Sequence, residues 1–236
     1  MLKKIKIIIS LVVLLNTPYA TGETYQVPAT PETTTLGLFM LQKPPVVKVH
    51  SGDIVTLETW NSCLHEMVFN KTTPADVAKF YIKHDIQQRR GMHTLTGPVY
   101  IEGAEPGDLL EIRILDIQLN DFGYNFLSPT QGILSEFTKP RIKYFKYDTK
   151  NNTTEFTKGI CLQLKPFPGV LAVAPPNDWP KGWPVNLHNP PAQPVSGEFN
   201  SVPPGPFGGN LDEPELQAGS ILFLPVFQKA RLYGRA

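Results

Sequence analysis

The stretch from Arg89 to Ile114, RRGMHTLTGPVYIEGAEPGDLLEIRI, places His93, Glu102, Glu105 and Asp108 within sixteen residues. A hairpin needs proline and glycine for its bends, but it has no need of a histidine and three acids. An imidazole can bind a metal or move a proton near neutral pH, and a carboxylate beside it can pass a proton to a leaving group. The plain alternative is a histidine that hydrogen-bonds the backbone ahead of a turn. A second loaded stretch, VPPGPFGGNLDEPEL, carries Gly208-Gly209-Asn210-Leu211-Asp212. Its glycines would let backbone come close to a ligand, while Asn210 and Asp212 offer amide and carboxylate groups. Gly, Asn and Asp also build ordinary surface turns, so that alternative stands beside it.

The other histidines offer less. His50 follows the alternating Val47, Lys48 and Val49 and is expected to face solvent, His84 falls on the packed face of a helix, and His188 sits in the irregular WPVNLHNPP. His65 opens HEMVF, where Phe69 replaces the second histidine of the zinc motif H-E-x-x-H. No G-x-S-x-G elbow and no glycine-rich phosphate loop occur. Cys63 and Cys161 have no zinc-site spacing and fit either one disulfide or two buried thiols.

The chain has 236 residues, 41% of them hydrophobic and 18% charged, with a net charge of +1. That is an ordinary globular composition, without the basic surface that nucleic acid requires. The first residues differ. Lys3, Lys4 and Lys6 precede an apolar run from Ile7 to Leu15, and small residues Ala20 and Gly22 follow. This is the pattern of a signal peptide over residues 1–22, too short to span a bilayer. It predicts a periplasmic or secreted protein without membrane attachment after cleavage, whose β domain covers residues 23–236.

Three segments use one device: HSGDIVTLET, EPGDLLEIRI and QAGSILFLPV each place a glycine in a tight turn and then launch a strand. In the second, Leu110, Ile112 and Ile114 alternate with Glu111 and Arg113, so one face is apolar. These features predict a mostly β fold, an antiparallel β-sandwich or barrel-like arrangement. One segment breaks the pattern. Thr73 as N-cap, Pro74 at N1, Asp76 at N3 and Gly91 beyond the end predict one helix over residues 74–90. The proline-dense stretch from Pro166 to Pro214, with Trp179 and Trp183, is expected to be a long ordered surface loop without internal ladder strands.

Taken in order, His93-Thr94-Leu95-Thr96-Gly97-Pro98-Val99-Tyr100, Glu102-Gly103-Ala104-Glu105-Pro106-Gly107-Asp108, Gly169 to Pro175, Gly208-Gly209-Asn210-Leu211-Asp212 and Leu224-Pro225-Val226 resemble the acetamidase/formamidase family. The resemblance runs over residues 35 to 227 and also takes in Ser51-Gly52-Asp53. It implies a metal-assisted hydrolase of small linear amides, giving carboxylate and ammonia, and homo-oligomeric assembly. It points to His93 as a ligand of a divalent metal, Zn²⁺ above all, with His65 as the remaining histidine that could join it. Glu102, Asn210 and Asp212 would then be catalytic, and Gly208, Gly209 and Thr96 would bind substrate. A zinc ion could polarise the amide carbonyl and supply hydroxide.

The chain departs from the family at three places. Phe207 precedes the Gly-Gly-Asn segment where many relatives carry histidine, and Glu58-Thr59-Trp60-Asn61 lacks an expected acid. After Leu-Pro-Val the family continues into a Gly-Asp-x-His-Ala segment, whereas this chain reads QKARLYGRA. The expectation is a C-terminally truncated member of weak activity, with an exposed apolar strand at Ser220 to Phe227. The alternative from a different class is an exported β module that binds a small ligand through its Trp179/Trp183 loop without catalysis.

Overall fold

The computed structural model describes residues 22–60, 68–86, 90–127, 139–179, 196–229 and 231–235. Residues 1–21, Cys63, His65, Trp183 and His188 lie outside them. In chain order the first elements are β1 (Thr24–Val27), β2 (Thr34–Leu36), β3 (Leu38–Met40), β4 (Val47–Val49), β5 (Ile54–Leu57) and the helix α1 (Pro74–Lys83). Then come β6 (Thr94–Ile101), β7 (Leu109–Arg113), β8 (Phe122–Leu127), β9 (Arg141–Asp148), β10 (Thr153–Thr157) and β11 (Ile160–Gln163). The described elements end with β12 (Val170–Val173), β13 (Glu198–Asn200), β14 (Gly208–Asn210), β15 (Ile221–Pro225) and β16 (Arg231–Arg235). The fold is mostly β, and among the described residues the strands form several sheets with no closed barrel.

The three glycine turns are built alike. Gly52, Gly107 and Gly219 have φ of 96°, 100° and 92°, a region that side chains disfavour. Each turn closes from the fourth residue back to the first: Asp53 N donates to His50 O, Asp108 N to Glu105 O and Ser220 N to Gln217 O. The side chain of that fourth residue adds a bond, Asp53 Oδ2 accepting from His50 N and Asp108 Oδ2 from Glu105 N, while Ser220 Oγ donates to Gln217 O. The turns launch β5, β7 and β15. β7 and β15 pair antiparallel with each other, as expected, but β5 runs parallel to β1. Apolar alternation marks a strand and carries no information about its direction.

The longest unit is a six-stranded sheet in the order β14-β12-β16-β6-β2, with β4 also on β6. Along one edge, β6 pairs antiparallel with β2 through Thr34↔Thr96 and Leu36↔Thr94, then parallel with β4 through Val47↔Val99 and Val49↔Ile101. The change of partner falls at Gly97-Pro98, a cis peptide inside the strand where the sequence suggested a turn. Pro98 has no N–H for the ladder, its carbonyl accepts from Val46 N at 2.9 Å, and β16 slips register between Leu232 and Gly234.

Two strands overturn the sequence reading. β12 lies inside the sheet, paired to both β14 and β16, although it falls in the proline-dense stretch. The prolines flank it at Pro166, Pro168, Pro175 and Pro176 and leave every N–H from Val170 to Val173 in place for pairing. β16, formed by RLYGR, sits between β6 and β12, where the sequence showed only a short tail. Its Tyr233 is fully buried, stacked edge-on against Phe39 at 5.5 Å, with its hydroxyl donating to Met40 O. Phe39, Phe207 and Trp179 extend this aromatic core, Trp179 meeting Phe207 at 5.1 Å.

The helix begins where its sequence says. Thr73 and Asp76 form a reciprocal capping box ahead of Pro74. It ends at Lys83 and not at residue 90, because Asp85 turns into the left-handed region at φ 54° and Ile86 folds back, its N–H bonding Tyr81 O. Ile86 thereby joins Val77 and Phe80 in a small core under the β8–β9 aromatics. Among the described residues no helix is long and apolar enough to cross a membrane.

Candidate active site at one end of the long strand

His93 immediately precedes β6 and is buried, with 7% of its surface exposed. Its Nδ1 lies 2.8 Å from Oγ of Ser201, a residue with no exposure at all. Three chain segments converge to make this pair. Gly37, between β2 and β3, donates its N–H to His93 O, and its carbonyl accepts from both Gly91 N and Ser201 N at 3.0 Å. Only glycine fits at that knot: Gly37 has φ 71°, and a Cβ there would stand 2.1 Å from Gly91 O. A Cβ on Gly91 would meet Ser201 Oγ at 2.3 Å. The pairing of β13 with β3, Asn200 opposite Leu38, carries Ser201 to this point.

The Gly208–Asn210 segment lies in the six-stranded sheet that the chain enters with β6, directly after His93. Thr34, Thr96, Gly234, Leu171 and Gly209 form one cross-strand row. Thr96 and Gly209 are therefore three strand spacings apart, about 14 Å. Asn210 Nδ2 donates to Val202 O, next to Ser201, at 3.3 Å. Asp212 is exposed with φ 45° and gives its N–H to Gly169 O at the edge of β12.

Gly208, Gly209 and Thr96, expected to bind substrate, are closely packed by the protein itself. A Cβ on Gly208 would stand 2.3 Å from Leu171 O, and one on Gly209 would meet Phe207 and Pro204 at 3.2 Å, so the protein's own atoms fill the room these glycines leave. Thr96 is fully buried and its hydroxyl donates to Glu58 O at 2.7 Å, a backbone tie from the segment after β5.

Glu102 does not join His93. The two residues lie nine steps apart, one at each end of β6, a separation of up to roughly 30 Å at about 3.3 Å per step. Glu102 instead pairs with His50, carboxylate Oε2 to Nε2 at 3.0 Å, with both side chains substantially exposed. Around them, Asp53 accepts from the N–H groups of His50 and Glu23, and Tyr25 donates to Glu23 at 2.7 Å. The His50 N–H, the Glu23 N–H and the nearby His50 ring hold the Asp53 carboxyl below its usual range, although partial desolvation works against them. The hydrogen bond to Glu23 pushes the Tyr25 phenol up to about 12. The linear closeness of His93 and Glu102 in sequence is undone by the extended chain between them.

Among the described residues no three His, Cys, Asp or Glu gather to hold a metal. His93 has a serine hydroxyl on its Nδ1 and no carboxylate from Glu102, whereas a structural or catalytic zinc takes three or four protein ligands. His65, the other expected ligand, lies outside the described residues. Sequence reasoning also missed Ser201, Gly37 and Gly91 as site builders. Gly91 read only as a helix stop, and a serine ahead of two prolines gives no signal of its own.

The fold recurs in an acetamidase from Bacillus halodurans, whose crystal structure superposes with a TM-score of 0.69 at 27% identity, covering 89% of this chain and 60% of that one. In sequence, the chain is 28% identical over 180 residues to an acetamidase of Mycolicibacterium smegmatis, covering 57% of this chain and 44% of that enzyme. It is 26% identical over 174 residues to a formamidase of Methylophilus methylotrophus, covering 58% of this chain and 43% of that enzyme. Residues 39–189 match the model of the acetamidase/formamidase family, and the chain belongs to that family. The aligned segments span less than half the length of the two curated relatives.

Proposed function

We propose that this chain hydrolyses small linear amides of the formamide and acetamide type to the carboxylate and ammonia. The observation that carries the reading is the buried His93–Ser201 pair, set by the Gly37 knot at the start of β6, a strand of the sheet that also holds the Gly208-Gly209-Asn210 segment. Family membership supports the reaction class. A buried imidazole in a fixed orientation can place one ring nitrogen against a reacting amide, and low exposure strengthens any charge it meets there. A divalent metal belongs to this proposal only as a further component, since the described residues supply one of its nitrogen ligands at most.

Export remains part of the proposal, supported by the basic start and apolar run at residues 3–15. The rival reading, ligand capture by tryptophans of the proline-rich loop, loses Trp179, which packs edge-on against Phe207 in the core with 7% of its surface exposed. The test is ammonia release from formamide and acetamide by the purified chain, assayed with and without added Zn²⁺. Release above the blank, abolished in His93→Ala, is expected. Equal release by the wild type and His93→Ala would remove His93 from the reaction.

A further inference from the structure

Glu23 is fastened to the Gly52 turn one residue before β1 begins. Its N–H donates to Asp53 Oδ1 at 2.8 Å and its carbonyl accepts from Ile54 N at 2.8 Å, and from Thr24 onward β1 pairs parallel with β5. The Asp53 side chain is only 7% exposed, and its other oxygen accepts from His50 N at 2.7 Å. This shielded carboxylate has no permanent cation. Among the described residues the one positively chargeable side chain paired with it is His50, whose Nδ1 lies 3.9 Å away and whose ring, charged only when protonated, also meets Glu102 at 3.0 Å. The groups facing the Glu23 nitrogen are thus Asp53 and His50 from the β4–β5 turn, Glu102 from the end of β6, and Glu23 and Tyr25 from its own segment. The corner is electronegative: the hydrogen bond to Glu23, then burial, then the charges of Glu23, Asp53 and Glu102 push the Tyr25 phenol up to about 12.

This bond falls at the end of the expected leader. Ala20 and Gly22 stand third and first before Glu23, the two places where small residues mark a leader cleavage site. We infer that cleavage between Gly22 and Glu23 creates the cation that Asp53 lacks, so that the new N-terminal ammonium of Glu23 docks on Asp53 and fastens β1 to β5. The inference rests on the export reading above and is independent of the amide reaction. A leader peptidase of the export route supplies the step, a hydrolysis. The Gly22–Glu23 C–N bond breaks, the oxygen of water joins Gly22 as carboxylate, and both protons of the water go to the Glu23 nitrogen. The nitrogen is already in place, since the amide that bonds Asp53 becomes the amine, and a charged donor makes a bond roughly twice as strong as a neutral one. Gly22 crowds the same turn, where a Cβ on it would stand 2.0 Å from Gly52 O, and its departure leaves room for the protons the amine gains.

The test uses the full coding sequence, leader included, expressed in an exporting bacterial host, with the protein collected from the periplasm or medium. N-terminal sequencing and intact mass are expected to show Glu23 as the first residue. Trace acetylation of the α-amine across the neutral and alkaline range, read on the N-terminal peptide by mass spectrometry, then follows its titration. A free α-amine titrates at about 7.7–8.0, and an opposite charge in contact favours the charged form by a factor of about ten or more. The folded chain should therefore titrate above that range and acetylate roughly tenfold more slowly at neutral pH than Asp53→Asn or the urea-unfolded wild type. An ordinary titration in a folded chain that starts at Glu23 would overturn the docking, and the unfolded reference decides this even if Asp53→Asn does not fold. An exported chain starting at any other residue would overturn the processing site and leave export standing. A chain that keeps Met1 and stays in the cytoplasm would refute the export reading and the inference with it.

Discussion

The two ends of β6 are made of similar residue types and behave as opposites. Each has a histidine, an oxygen partner about 3 Å away and a positive-φ glycine close by. At the His93 end the partner is a fully buried neutral hydroxyl, and Gly37 is locked by the backbone of Gly91. At the Glu102 end the partner is an exposed carboxylate, and the Gly52 turn has nothing within 4 Å of where a side chain would go. A charged pair in water contributes little and adjusts freely, whereas a buried polar pair is either satisfied in one geometry or costly. Orientation, which catalysis needs, is available at the buried end.

The largest break in that comparison should come from the core beneath the buried end. Tyr233→Ala removes a fully buried ring and its bond to Met40 O, and is expected to cost about 3–5 kcal/mol in urea unfolding. A loss under about 1 kcal/mol would mean that β16 does not hold the sheet together. Next comes a matched pair of glycines. Gly37→Ala and Gly52→Ala both strain a positive φ, at roughly 1–2 kcal/mol each, but only Gly37→Ala also drives a methyl into Gly91 O. Gly37→Ala should therefore destabilise clearly more than Gly52→Ala, and equal losses would erase the contrast in packing.

The smallest effect is at the exposed end. The Asp53 carboxyl is held below its ordinary value of 3.8, so the unfolded chain binds its proton at higher pH than the folded one. Its contribution to stability is fully present above that ordinary value and is lost as the pH falls through the lower folded-state value. Asp53→Asn should flatten the acid limb of the stability profile while leaving stability near neutrality to change by the turn's hydrogen bonds alone. An acid limb identical in the two proteins would show that the carboxylate carries no such linkage.

What could be read from the sequence follows the range of the interactions involved. The three glycine turns were legible because each closes over four residues, with its φ demand and its side-chain bond inside the same short stretch. The start of α1 was legible for the same reason, through Thr73, Pro74 and Asp76. Its end was not, since Ile86 is drawn back by burial against Val77 and Phe80. β12 and β16 were hidden because their pairing joins residues far apart in the chain, such as Leu171 with Gly234 and Gly234 with Thr96. His93 stood out as a residue type. Ser201, 108 positions later, had no feature that would single it out. The grouping of His93 with Glu102 failed because sequence proximity along an extended strand means distance in space.

The central claim is that chemistry belongs to the His93 end of β6 and not to the Glu102 end, and the most direct test is the turnover of formamide by His93→Ala and Glu102→Gln beside the wild type. The account predicts a loss of about 10² or more in kcat for His93→Ala, in line with removal of a fixed polar group from a reacting centre, and a change of no more than about twofold for Glu102→Gln. A Glu102→Gln chain that folds normally but loses turnover as far as His93→Ala would place the reaction at the wrong end of the strand and contradict the account.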